Sequence, residues 1–195
     1  MNLDNIDWDK VNGLVPAIVQ DFKSSQVLML GYMNKEALEN TINTNFVHFY
    51  SRTKKRLWKK GETSGNVLLL NDIQLDCDRD TLLIKASNEG PTCHLDQYSC
   101  FGEEEFNISK LEKIIENRLD NPSEESYTSS LFKKGIKEIA KKVTEEAGEV
   151  SISAVSNDGR VIEESADLIF HLLVLLKNQD VGFENIVSEL EKRSG

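Results

Sequence analysis

The sequence predicts an α+β protein in which a β-rich N-terminal domain, residues 1–105, is followed by an all-α helical domain, residues 106–195. Three observations predict this. The first half consists of short aromatic and β-branched runs punctuated by Gly61, Gly65 and Gly90-Pro91, the pattern of strands and turns. The second half keeps apolar residues at a helical period, the pattern of amphipathic helices. All three cysteines and both tryptophans lie before residue 106, so the chemistry divides where the periodicity does. Gly102-Glu-Glu-Glu105 marks the seam and reads as a solvated connector.

The first element in chain order is the apolar run Val27-Leu-Met-Leu30, and Asn34 is placed to cap a short helix from Lys35 to Thr41. Phe46-Val-His-Phe-Tyr50 reads as a strand, and Val67 to Leu75 and Thr81 to Ala86 continue that pattern. No element is assigned before Val27. In the second half, Leu111, Ile114, Ile115 and Leu119 share a helical face, and Asn121-Pro122-Ser123 ends that helix. From Thr128, the residues Phe132, Ile136, Ile139, Val143, Ala147 and Val150 hold the period, which predicts one helix of about six turns. Asn157-Asp158-Gly159 makes a turn, Val161 to Leu176 resumes as an apolar helix, and Phe183 to Leu190 forms the last one.

Composition narrows the function. The chain has 33 acidic and 23 basic residues, a net charge of −10, which disfavours polymeric nucleic acid as a partner. Three cysteines argue against a secreted disulfide framework. MNLDNIDWDK has neither a basic n-region nor an apolar h-region, and LIFHLLVLL (Leu168 to Leu176) falls well short of the roughly 20 residues that cross a bilayer. A cytoplasmic protein with no membrane partner is expected.

Asp76-Cys-Asp-Arg-Asp80 sets three aspartates at alternate positions, which on an extended chain project from one face. Their repulsion would be relieved by a hard cation, Mg²⁺ or Ca²⁺. Cys77 takes the opposite parity, and with Cys93 and Cys100 it offers three soft ligands, the number that leaves a fourth position of Zn²⁺ open to water. His94 is then a candidate general base or proton shuttle. An exposed acidic turn and inert core cysteines are the alternatives.

Six cations crowd residues 52–60 and lead into Gly61-Glu-Thr-Ser-Gly65. Arg52, Lys55, Arg56, Lys60, Gly61, Thr63 and Ser64 suit a loop around the phosphate of a small molecule. Trp58 either stacks on a base or packs in the core. In the helical half, Glu145, Glu146 and Glu149 face Glu164 and Asp167 across the predicted hairpin. Such a set would bind Mg²⁺ and through it a di- or triphosphate, the alternative being a solvated acidic face.

These motifs carry a family resemblance. VLMLGYMNKEAL, FYSRTKKRLWKKGETSGN, DCDRD and GPTCHLDQYSCF, within residues 27–101, resemble phosphoribosyl-AMP cyclohydrolase. YTSSLFKKGIKEIAKKVTEEAGEV and ESADLIFHLLVLL, within 127–176, resemble phosphoribosyl-ATP pyrophosphatase. The resemblance implies a fused enzyme for the second and third steps of histidine biosynthesis. It would release pyrophosphate from phosphoribosyl-ATP in the C-terminal domain, then open the adenine ring of phosphoribosyl-AMP at N1–C6 with zinc-activated water. It also implies Zn²⁺ on Cys77, Cys93 and Cys100, Mg²⁺ on Asp76, Asp78 and Asp80, and a cyclohydrolase site assembled across a homodimer. In the helical domain it implies Mg²⁺ on Glu146, Glu149, Glu164 and Asp167, with Glu145 alongside. Three other readings are kept: a chain with one active half, a zinc-stabilised nucleotide-binding module, and a general nucleoside triphosphate pyrophosphatase.

Overall fold

The computed structural model describes residues 3–194. The chain divides into two compact units at Glu105/Phe106.

The N-terminal unit is organised around β1, Val15–Asp21, which alternates buried and half-buried positions along its length as a strand with one core face must. On one side β1 pairs antiparallel with β2, Val27–Met33. On the other it pairs in parallel with β6, Leu82–Asn88, which pairs antiparallel with β5, Leu68–Leu75. The sheet order is β2-β1-β6-β5. The sequence reading assigned no strand to Val15–Asp21. Pro16 is its second residue, opposite Tyr32 of β2 and one position before the pairing with β6 begins at Ala17, the end of a strand being where proline is tolerated.

Helix α1, Lys35–Thr44, starts where the Asn34 side chain accepts a hydrogen bond from the Ala37 N–H at 2.9 Å. Strands β3, His48–Ser51, and β4, Arg56–Lys59, form a separate hairpin. The basic run thus contains a strand, since Trp58 pairs with Phe49 and their rings lie 5.2 Å apart. Val15, Val19, Leu28, Met33, Leu38, Phe49, Leu82 and Ile84 are fully buried and make the core.

The Asp76–Asp80 segment departs from the extended conformation expected of it. It is the turn joining β5 to β6: the Asp76 N–H bonds the Thr81 carbonyl, and Asp76 Oδ1 accepts from the N–H groups of Asp80 and Thr81. Arg79 takes φ +65°. Alternating parity therefore does not sort these side chains; the turn does.

The C-terminal unit is helical: α2, Ile108–Asp120; α3, Tyr127–Lys134; α4, Ile136–Ser156; α5, Val161–Asn178; and α6, Phe183–Arg193. The single helix expected from Thr128 onward is broken at Gly135, whose φ of +86° lies in the left-handed region open to glycine at no steric cost. Apolar periodicity survives that break, so it could not mark it. Asn157, at φ +55°, closes α4, and α5 returns along it. Ile115, Leu131, Ile139, Leu173 and Val174 form the core of this unit. No helix among the described residues is long and apolar enough to cross a membrane.

One close approach in the N-terminal unit is testable. A methyl group on Gly31 of β2 would lie 2.3 Å from Cδ1 of Phe49, whose ring is fully buried. Gly31→Ala is expected to cost about 1–3 kcal/mol through overpacking, read as a lower denaturation midpoint for this unit.

Candidate functional site

Two groups of chemistry-bearing side chains form, one in each unit. In the N-terminal unit, Cys93 is buried, and it lines a common cavity with Cys100. Desolvation, then the neighbouring Cys93 sulfur, pushes the Cys100 thiol pKa up. His94 Nδ1 lies 3.8 Å from Cys93 Sγ, on an exposed residue. These three groups line a cavity of about 400 Å³.

More of the lining comes from β4 and the segment after it. Trp58, Lys60, Gly61, Thr63 and Ser64 all line the cavity. Gly61 is required there, because its φ is +84° and a Cβ would meet the Asn66 backbone at 2.5 Å. Lys60 is buried, and its Nζ donates to the Asn66 carbonyl at 3.4 Å. Burial pushes its pKa down, and the Cys100 and Cys93 thiols oppose that shift. Trp58 packs on Phe49 and also lines the cavity.

Arg52, Lys55 and Arg56, the other cations assigned to the phosphate loop, are not among the lining residues. Arg52 stacks over the Tyr32 ring at 3.8 Å, and Arg56 is paired to Glu62, whose carboxyl it holds below the usual range. Lys55 lies in the β3–β4 turn at φ +50°. Asn66, Thr92 and Asp96 join the lining without having been singled out in the sequence. Thr92 is 3% exposed, and its Oγ1 has no hydrogen-bond partner in the structure.

Cys77 is exposed and stands outside this cavity. It is flanked by Asp76 and Asp78, which with Asp80 bring carboxylate oxygens within 4.8 Å of one another. One chain thus gathers two thiols in one place and three carboxylates, with the third thiol, in another.

In the C-terminal unit, Glu146 of α4 and Glu164 and Asp167 of α5 bring carboxylate oxygens within 4.8 Å of one another. Glu146 is 6% exposed and Glu164 3%, burial that carboxylates accept only with partners or a cation. Glu164 Oε1 lies 2.5 Å from Arg160 Nη2, and the Glu164 carboxyl is hydrogen-bonded with that of Glu149. Burial, then that shared bond, pushes the Glu164 pKa up against the pull of Arg160. Glu145 is not part of this cluster; the Lys142 ammonium lies 3.0 Å from its carboxylate and 3.5 Å from that of Glu146.

Behind Glu146 lies a buried imidazole that the sequence reading passed over. His171 Nδ1 donates to the Asp167 carbonyl at 2.8 Å, which leaves Nε2 to accept from the Tyr127 hydroxyl at 3.0 Å. The signal was available in the i, i+4 spacing of Asp167 and His171 on one helix face.

Comparison with known proteins agrees with this division. Residues 29–102 match the phosphoribosyl-AMP cyclohydrolase family and residues 108–194 match the phosphoribosyl-ATP pyrophosphohydrolase family. The chain is 52% identical over 198 residues to the histidine biosynthesis bifunctional protein HisIE of Photobacterium profundum, covering 96% of both. It is 54% identical to the protein of that name from Buchnera aphidicola subsp. Schizaphis graminum, covering 98% of this chain and 95% of the relative. For the Vibrio cholerae protein of that name the identity is 51%, over 97% and 94%. An arrangement of a thiol cavity in a β-rich unit and buried acids in a helical one is therefore that of a known kind of protein, and the chain belongs to the family of histidine biosynthesis bifunctional proteins.

Proposed function

We propose that this chain carries out two successive hydrolyses of histidine biosynthesis, pyrophosphate release from phosphoribosyl-ATP in its helical unit and ring opening of phosphoribosyl-AMP in its β-rich unit. The observation that carries this reading is the presence of both family matches on one chain, each over a unit with its own ligand cluster.

The donor chemistry of the cavity fits zinc. Cys93 and Cys100 are soft ligands that line one cavity, and Thr92, whose Oγ1 is unpartnered, lines it with them. Cys77 lies apart on the same chain, so a three-thiol site is complete only if a second copy supplies that residue, and we take the working form to be a homodimer. Asp76, Asp78 and Asp80, and separately Glu146, Glu149, Glu164 and Asp167, are oxygen donors suited to Mg²⁺. Zinc there would lower the pKa of a water toward neutrality, and magnesium would offset phosphate charge.

The chain's own groups do the rest. Lys60, Thr63 and Ser64 hold the substrate phosphate against the turn that Gly61 allows. His94 takes a proton as water adds to C6 of the adenine ring. A proton is returned to N1 as the N1–C6 bond breaks. In the helical unit the buried carboxylates orient the triphosphate for in-line attack of water between the α- and β-phosphorus. Glu146 is kept in place by His171 and Tyr127, and Glu164 by Arg160. Pyrophosphate leaves with the electrons of the broken P–O bond.

The two centres predict crossed losses. Cys93→Ser should abolish zinc content and lower ring opening by roughly 100-fold or more, since even outer-shell groups are worth about 10–100-fold, while pyrophosphate release persists. Glu164→Gln should do the converse. Separate assays of pyrophosphate and of ring-opened product read both, and parallel loss in both variants would refute independent centres.

The raised pKa of Glu164 gives a second test. Protons compete with a cation for a carboxylate, and a raised pKa makes them compete at higher pH. Magnesium affinity of the helical site should therefore start falling, as pH is lowered, above the ordinary glutamate range near about 4.3. Titration calorimetry across pH checks it; affinity that holds constant down to that range contradicts the expectation.

A further inference from the structure

One cation in the N-terminal unit has no part in the chemistry above. Lys10 precedes β1 and is distant in sequence from the β5–β6 turn, yet its Nζ lies 2.5 Å from Asp78 Oδ2 and 2.6 Å from Asp80 Oδ2. Those are two of the three carboxylates that share one small volume.

The backbone puts it there. The Asp7 N–H donates to the Arg79 carbonyl at 2.8 Å, fastening the N-terminal segment to the turn itself. The Lys10 N–H donates to Asp7 Oδ1 at 3.1 Å, and Trp8 packs against the core. An isolated surface ion pair is worth little. This ammonium instead meets two carboxylates at once from an anchored backbone.

A single positive charge among three carboxylates relieves their repulsion only in part, and a divalent cation relieves more. Both draw on the same oxygen lone pairs. We propose that Lys10 is the internal counter-ion of the aspartate turn: it holds Asp78 and Asp80 together in the metal-free chain, and a divalent cation binds there by displacing it. The inference rests on the reading of Asp76, Asp78 and Asp80 as a divalent-cation site. The Lys10 side chain is 42% exposed, so displacement sends the ammonium into solvent without disturbing the core. Apparent affinity is then the intrinsic affinity reduced by the fraction of chains in which Lys10 occupies the site.

The test is a Mn²⁺ titration of the full-length metal-free protein, followed by the paramagnetic resonance of free Mn²⁺, in a background carrying Glu146→Gln and Glu164→Gln to silence the helical site. Lys10→Ala should bind Mn²⁺ about tenfold tighter than the parent and melt lower without metal, a gap that Mn²⁺ closes. Lys10→Arg, which keeps the charge, should bind as the parent does. Equal or weaker binding by Lys10→Ala, or the same gain in Lys10→Arg, overturns the competition. An isotherm unchanged by Asp78→Asn instead refutes the cation site on which the inference stands.

Discussion

Groups of one charge are gathered closely at two places in this protein, with an opposite charge set against each. Asp76, Asp78 and Asp80 share a few ångströms, as do Glu146, Glu164 and Asp167, and like charges at such separations shift one another's ionisation or demand a cation. Much of the rest of the structure serves to make that gathering possible. In the β-rich unit the means is a turn whose backbone N–H groups bond Asp76. In the helical unit it is the α4–α5 hairpin, with Arg160 paired to Glu164 and His171 set behind Glu146. Two unrelated kinds of secondary structure arrive at the same electrostatic arrangement, a chain reversal with acids on its facing sides.

The thiols are treated differently. Cys93 and Cys100 meet in a cavity with a buried lysine, whereas Cys77 lies on the aspartate turn. Because Cys77 sits between Asp76 and Asp78, any partner that receives its sulfur also receives carboxylates. Under the proposed function, the soft and hard sites are thereby brought to a common boundary between copies, and loss of pairing would disable both.

Much of this was legible in the sequence because the relevant signals are local. The Asn34 cap, the Asn157-Asp158-Gly159 turn and the Glu164/Asp167 spacing on α5 depend on residues a few positions apart, and in the fold the cap and the turn form and those two carboxylates lie together. What was not legible depends on partners distant in the chain or on backbone geometry that leaves hydrophobic periodicity intact. Gly135 splits a helix without interrupting its apolar stripe. Asp76–Asp80 keeps strand-like alternation in a segment that turns. β1 carries a proline at its second position, one residue before its ladder with β6 begins. Glu145 shares its helix turn and its Lys142 partner with Glu146, yet only Glu146 joins the cluster, and nothing in the spacing of charges chooses between them. Lys10 could not be associated with Asp78 until the N-terminal segment had been placed.

Under the proposed function the ring-opening centre takes Cys93 and Cys100 from one copy and Cys77 from another. This is tested most directly by mixing two inactive variants, Cys77→Ser and Cys93→Ser, under conditions that exchange subunits. Each mixed dimer then carries one intact set of three thiols. Random pairing predicts recovery of about a quarter of the parent ring-opening rate, with zinc content recovering in proportion. No recovery, in mixed dimers shown to have formed, would contradict the account.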